Sequence, residues 1–462
     1  MYVYNTIHFA GEPGDEKRSL GCGNDFADGN HLISLRSRNP VEIRVDDFVD
    51  GVDAEMCMKG FTWGTNANEE VHCELVKTGA GTLCFPSNVF NSVYDGSGAS
   101  LGRYFDLFIQ EGTVEFLSLS EIPGQLQTFF QANATDPLQT ITISTNGNMI
   151  LRKRNIANVS VTGIPNIKIV VDHGTLTYDT ETVPENDGAI PIKDWVFDDA
   201  TLDIRAAGMD YRFGIFMFKN SATFRGTRPL DMMPCFGLPA STSAKMKRRD
   251  DNQAVSVWIE DGKRTTFDVA DMTGDGRTDV TMGYRILDGY TANTAEGVLS
   301  ESGFVKIGLG TFSVASSTNS VSGVITVSNG TMRVDGELVT PRSVEVAAGA
   351  FIGGTGTVAR VAMEAGSGFN APAGQDKPLT VEGNLALPAT GIVNISNLGG
   401  YEGDELPAAK LVTATGTLSG AENLQNWTVT IDGVPTSTWR VHLAAGNVVR
   451  ATKNRGLRII FK

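Results

Sequence analysis

Between Ser302 and Gly374 apolar and polar residues alternate in short runs, marked by Phe312/Val314, Val324/Thr326, Met332/Val334, Val344/Val346 and Val358/Val361. Asn-Gly, Asp-Gly and Ala-Gly pairs separate the runs. Period-two alternation closed by such turns predicts half-buried strands of about 4–6 residues and leaves no room for a helix of ordinary length. The apolar side chains are small or β-branched, and the strands recur too regularly for ordinary loops. A coil this small cannot bury its own face. The pattern therefore predicts a stacked β-solenoid, in which each coil is covered by the coils above and below it.

The rest of the chain carries the same punctuation less regularly. Val41–Val49 (VEIRVDDFV) predicts a strand pair with an acidic exposed face, and Ile141–Leu151 a strand, an Asn-Gly turn and a second strand. The phrase x-Gly-Thr-φ-x-φ occurs as QEGTVEF, DHGTLTY and SNGTMRV, each behind a β-branched or aromatic run. Trp195–Ile204 and Phe213–Phe224 extend the pattern with larger residues. Helix signals are weak, the exception being Leu117–Ala132, where Ser120 or Pro123 could start a short helix. Arg225–Arg249, with Pro229, Pro234 and Pro239, reads as an inserted loop before strands resume at Val255–Ile259, Thr265–Val269 and Val280–Ile286.

The last sixty or so residues change character. Two tryptophan-bearing strands, around Trp427 and Trp439, precede a hairpin-like tail, which suits the end cap that a solenoid needs to hide its open edge. The expected fold class is thus all-β: a parallel β-helix (β-solenoid) with a small β-rich C-terminal cap. Residues 1–300 are expected to form degenerate coils with an insertion at 225–250, residues 301–400 the regular coils, and residues 401–462 the cap.

FVKIGLGTFSV, GVITVSNGTMRVDG, VEVAAGAFIGGTGTV and a closing APAG together resemble the autotransporter-associated β-strand repeat over about seventy residues. A second partial copy runs from Glu74 through Lys77-Thr78-Gly79-Ala80-Gly81-Thr82 to DLFIQEGTVEF. The shared signature is Lys-x-Gly-x-Gly-Thr with a matching strand downstream. The resemblance implies a bacterial, exported or cell-surface chain of passenger type. The N-terminus, MYVYNTIHFAGEPGDEKRSL, lacks a basic n-region and an apolar h-region. Met1 is therefore expected to open a truncated or processed fragment.

Composition narrows the partners. Of 462 residues, 38 are Lys or Arg and 53 Asp or Glu, a net charge of −15, and only 20% are charged against 41% hydrophobic. That balance excludes a wholly disordered chain and disfavours nucleic acid, which needs clustered cations. The basic runs Arg152–Arg154 and Lys245–Arg249 read as solvated loop charge. Cys22, Cys57, Cys73, Cys84 and Cys235 form no CxxC and leave an odd one, so buried thiols are expected rather than a disulfide framework. The apolar run Tyr211–Phe218 is far short of the roughly 18 residues of a transmembrane helix, and the tail is too short for a membrane barrel.

One stretch reads as a site. Asp271, Thr273, Asp275 and Asp279 place oxygens at positions 1, 3, 5 and 9 around Gly276, resembling calcium loops of the D-x-[DN]-x-D-G-x-x-D kind. Met282 stands where an EF-hand would carry Glu. The competing reading is an acidic turn between two strands, where Asp and Gly belong anyway. Other catalytic signatures are missing: no HExxH, no GKS/GKT phosphate loop, and five histidines (His8, His31, His72, His173, His442) far apart. Gly353-Gly354-Thr355-Gly356 reads as a tight corner rather than a phosphate cradle. Trp63, Trp195, Trp258, Trp427 and Trp439 read as core or cap packing ahead of sugar platforms. The expected function is a non-catalytic surface stalk or adhesin-like module for glycans or matrix polymers. The alternative is a β-helix lyase or hydrolase, for which no carboxylate pair is marked out.

Overall fold

The computed structural model describes residues 2–3, 6–12, 18–20, 33–35, 40–48, 55–58, 61–63, 72–85, 104–116, 138–151, 166–179, 190–205, 216–232, 256–260, 262–290, 302–317, 319–340, 342–400 and 406–454. Their regular structure is almost entirely β-strand, paired in parallel ladders. The chain is an all-β parallel solenoid. It divides into two compact units, Met1–Lys219 with Pro234–Val255, and Asn220–Met233 with Ser256–Lys462.

Within the first unit the period-two pattern becomes a stack. Strands Val41–Val45, His72–Thr78, Tyr104–Phe116, Gln139–Leu151, Ile167–Asp172 and Ile190–Asp198 lie side by side in register. Val41, Leu75, Leu107, Ile141, Ile169 and Trp195 form one inward column, each 0–1% exposed. Burial of each such side chain is worth about 1.5–3 kcal/mol, so the stacking supplies what a single coil lacks. Alternate residues face out: along Val41–Val45 the three apolar residues are buried, while Glu42 is half-buried and Arg44 exposed.

The second unit repeats the plan with three ladders. One contains Arg264–Val269, Gly303–Ile307, Ile325–Val327, Val344–Val346 and Val361–Met363. A second, of nine strands, includes Val280–Met282, Thr311–Val314, Thr331–Val334, Phe351–Gly353, Gly368–Pro372, Ile392–Ser396 and Thr428–Ile431. A third runs from Arg285–Tyr290 through Glu337–Val339 to Ala409–Ala414. The Gly353–Gly356 stretch is a corner: a Cβ at either end would overlap a neighbouring coil's backbone carbonyl. Near the tail the pairing changes sense. Ala409–Ala414 and Trp439–Ala444 both pair antiparallel with Val448–Lys453, and Thr428–Ile431 pairs antiparallel with Val434–Thr436.

Two local expectations read differently. Leu230–Met232, expected in a loop, is a strand against Val280–Met282, because Met232 finds a buried place at 1% exposure. Val41–Val45 is one strand, and Asp46–Phe48 leads out of it. The expected helix at 117–132, both basic runs and residues 233–255 lie outside the described residues. No helix among the described residues is long and apolar enough to cross a membrane.

Candidate functional site

Two lysines occupy core positions. In the first unit Lys77 stands in an inward column between Ile43 and Ile109, and in the second Lys306 stands between Phe267 and Val327. Both are fully buried. Each ammonium turns back on the chain that carries it. Lys77 Nζ donates to the carbonyls of Thr78 (2.9 Å), Gly79 (2.7 Å) and Glu111 (2.9 Å). Lys306 Nζ donates to those of Gly308 (2.6 Å), Gly310 (2.5 Å) and Asn329 (2.9 Å). Three acceptors match the three N–H donors of an ammonium.

This clasp explains the Lys-x-Gly-x-Gly-Thr and x-Gly-Thr signatures together. Gly79 and Gly308 turn with φ near +76° and +78°, bringing their carbonyls to the lysine of their own coil. Gly112 and Gly330, from the next coil, sit over the clasp, and a Cβ on either would strike the carbonyls beneath. Burial pushes Lys77 down to about 8, against the nearby carboxylates of Glu111, Glu55 and Asp46. Lys306 is pushed to about 7 by the same cause, opposed by Asp279 and Asp268.

A buried acid completes each clasp. Thr311 N donates to Asp279 Oδ2 (2.7 Å), and Thr82 N donates to Glu55 Oε2. The two acids stand at equivalent places: Val280 pairs with Phe312 directly after Asp279 and Thr311, and Met56 pairs with Leu83 directly after Glu55 and Thr82. Upstream, Gly310 N donates to Val269 O and Gly81 N to Val45 O, both at 2.9 Å. Each strand end, Val45 or Val269, is thus joined to its acid by a chain segment of equal length, and among the described residues Phe48 is buried in the first segment and Met272 in the second.

The four expected calcium ligands therefore take separate positions. Asp279, 1% exposed, accepts from Met272 N (2.8 Å), Thr273 N (2.9 Å) and Thr311 N. Burial pushes its carboxyl up, against those three amides. Asp271 Oδ1 caps Gly274 N (2.8 Å). Asp275 holds Arg277 through Nε (2.6 Å) and N (3.1 Å); although partial burial pushes its carboxyl up, the hydrogen bonds outweigh this and keep it low. Thr273 Oγ1 is buried. The three carboxylates do not bring their oxygens within 4.8 Å of one another.

The outer side of this loop builds something that the sequence did not announce. Asp271 and Asp275 line a groove of about 250 Å³ with Leu309, Asn329, Phe351, Asn370, Asn394 and Asp432. A Cβ on Gly276 would lie 3.0 Å from Ser396 Oγ, so the loop tip rests against a strand far along the nine-stranded sheet. Leu309 projects with 71% of its surface exposed, and Phe351 is half-buried. Beneath them the outward polar side chains are tied down: Asn370 Oδ1 accepts from Ser396 Oγ (3.1 Å), and Asn394 Oδ1 accepts from Thr430 Oγ1 (2.7 Å) and Gly433 N (2.9 Å). Asp432 Oδ1 accepts from Asn397 N (2.8 Å). The lining contains no lysine or arginine. Rigid apolar, amide and carboxylate groups in one groove can take the apolar face and the hydroxyls of a neutral sugar.

Of the tryptophans, Trp195 stacks on Phe197 (centroids 5.5 Å apart) and Trp427 on Phe369 (5.7 Å), the latter donating Nε1–H to Pro388 O. Trp439 is 4% exposed. All three are packing residues; the side chains of Trp63 and Trp258 lie outside the described residues. Cys84 is buried. No family model, curated protein or solved structure matches the chain.

Proposed function

We propose that the chain is a non-catalytic, exported β-solenoid of autotransporter-passenger type, whose second-unit groove binds a neutral surface or matrix glycan. The observation that carries this reading is Leu309: a large apolar side chain held in water by a glycine on each side, at the mouth of a groove lined by amides and carboxylates. Export and passenger type rest on the Lys-x-Gly-x-Gly-Thr resemblance. Absence of cationic lining makes acidic polysaccharides poor ligands. Asp275, kept ionised beside Arg277, is in the wrong state for a general acid.

A calcium ion shared by Asp271, Asp275 and sugar hydroxyls is a second reading of the same groove, since both carboxylates line it. The test is retention on neutral and acidic polysaccharides, with calcium or chelator, scored for cleavage as well. Expected are retention of a neutral polymer without new reducing or unsaturated ends, and loss of retention in Leu309→Ala. Chelator sensitivity would support the calcium reading. New chain ends would overturn the non-catalytic reading in favour of a carbohydrate-active enzyme, and absence of any retention would leave a purely structural stalk.

A further inference from the structure

A second place in the molecule brings metal-binding groups together, in the first unit and apart from the groove. Strands Ile167–Asp172 and Ile190–Asp198 pair in register, as do Thr175–Asp179 and Thr201–Arg205. The turns between them, Asp172-His173-Gly174-Thr175 and Asp198-Asp199-Ala200-Thr201, therefore stack, and His173 N donates to Asp198 O (2.7 Å). His173, Asp198 and Asp199 each put one ligand atom within 4.8 Å of the others.

The imidazole is already oriented. Asp172 Oδ1 lies 2.7 Å from His173 Nδ1, and a carboxylate there can only accept, so in the neutral ring Nδ1 carries the proton and Nε2 keeps its lone pair. The same contact raises the imidazole's pKa, so an ion has to displace a proton from Nε2 as the pH falls. Nε2 lies 3.6 Å from Asp199 Oδ2. That is too long for a hydrogen bond, but close to the ~3.4 Å separating two ligands that sit about 2.1 Å from one tetrahedral ion. A carboxylate holding the far nitrogen of a ligating histidine is the usual outer partner of a metal site. The Asp199 side chain is 6% exposed, whereas His173 is half-exposed and leaves a path for an ion and its water.

We infer that His173, Asp198 and Asp199 form a binding site for one divalent transition ion of the zinc class, with Asp172 as the positioning residue and solvent completing the coordination. One imidazole and two carboxylates favour zinc, cobalt or manganese over calcium, which takes oxygen alone. The site spans two coils, so an ion there clips adjacent turns.

The test is calorimetric titration of the intact chain with zinc chloride at pH 7.5, alongside the visible spectrum of the cobalt form. Expected is one saturable site per chain, weakened at least about 100-fold in His173→Asn and about tenfold in Asp172→Asn. Asparagine tolerates the left-handed backbone at this position (φ 59°), so the first variant keeps the fold, checked by circular dichroism. His8→Ala, at a surface His–Asp pair, is expected to bind as the parent does. Equal binding by parent and His173→Asn, a thiolate-to-cobalt band, or no saturable heat in the parent would each overturn the assignment.

Discussion

The two lysine clasps are the same machine with different faces. Both bury an ammonium among three carbonyls, both hold a threonine amide on a buried acid, and both place glycine over the top. Their outer residues diverge. Where the second carries Leu309 between its glycines, the first carries Ala80. Where the second carries Asn329, whose Oδ1 caps its own Gly330 N, the first carries Glu111, which reaches across to Gly79 N at 3.1 Å. Aligned the same way, Phe351 stands where the first has Asn148. Clasp geometry is thus fixed by the interior, and the outer side chains are free to change around it.

The most damaging way to break the equivalence is to remove a lysine. Lys306→Met and Lys77→Met keep the unbranched apolar stem of the side chain but remove the ammonium and strand buried carbonyls. Each is expected to destabilise its own unit by about 3 kcal/mol or more, read as a shift in urea midpoint. Comparable losses support one device used twice; a loss in only one would dissolve the comparison. Gly330→Ala and Gly112→Ala come next, at about 2 kcal/mol each, from a left-handed backbone and a Cβ over the carbonyls. Asp279→Asn and Glu55→Gln follow, at about 1–3 kcal/mol, because a side-chain NH2 can face an amide N–H where an oxygen had accepted.

Acidity sharpens the comparison further. Lys306 titrates near 7 and Lys77 near 8 when folded, against 10.5 for a lysine in water. Between the folded and unfolded values the unfolded chain binds more protons, so stability rises with pH over that window. Below it both states are charged and the penalty of burying the charge is fully present. Urea midpoints from pH 6 to 9 are expected to climb in both units, and the climb is expected to vanish in the methionine variants. A flat profile would mean that the three carbonyls hold the ammonium charged against burial. The smallest expected effect on stability is at Leu309→Ala, within about 0.5 kcal/mol, as for an exposed residue; its effect is expected in glycan retention instead, where Ala80→Ser changes nothing.

Much of the architecture was legible because parallel coils repeat themselves in one dimension. Strand, turn and signature can be read locally, and Lys-x-Gly-x-Gly-Thr marked both clasps. What that signature was for could not be read. A lysine between apolar residues looks like a surface charge until the ladder register places it in an inward column with Ile43 or Phe267. Asp279 resembled a calcium ligand because its spacing to Asp271 is local, while its partner amide, Thr311, is 32 residues away. The equivalent acid, Glu55, lies 27 residues from Thr82, and this unequal spacing hid the correspondence. The groove draws on residues from Asp271 to Asp432, beyond the reach of any local pattern. His173 was one histidine among five scattered ones. Only the parallel phrases Asp-His-Gly-Thr-Leu and Asp-Asp-Ala-Thr-Leu, read as one turn stacked on another, reveal its neighbours.

The change from parallel to antiparallel pairing at Val448–Lys453 has a consequence for polymer growth. A parallel ladder is a template that another copy can extend indefinitely, as a crystal face accepts the next layer. Here the chain's own hairpin occupies the free edge of Ala409–Ala414 in the opposite sense, so a second molecule arriving with parallel strands finds no matching register. In kinetic language the hairpin works against growth at this edge, because the parallel template of Ala409–Ala414 is already taken.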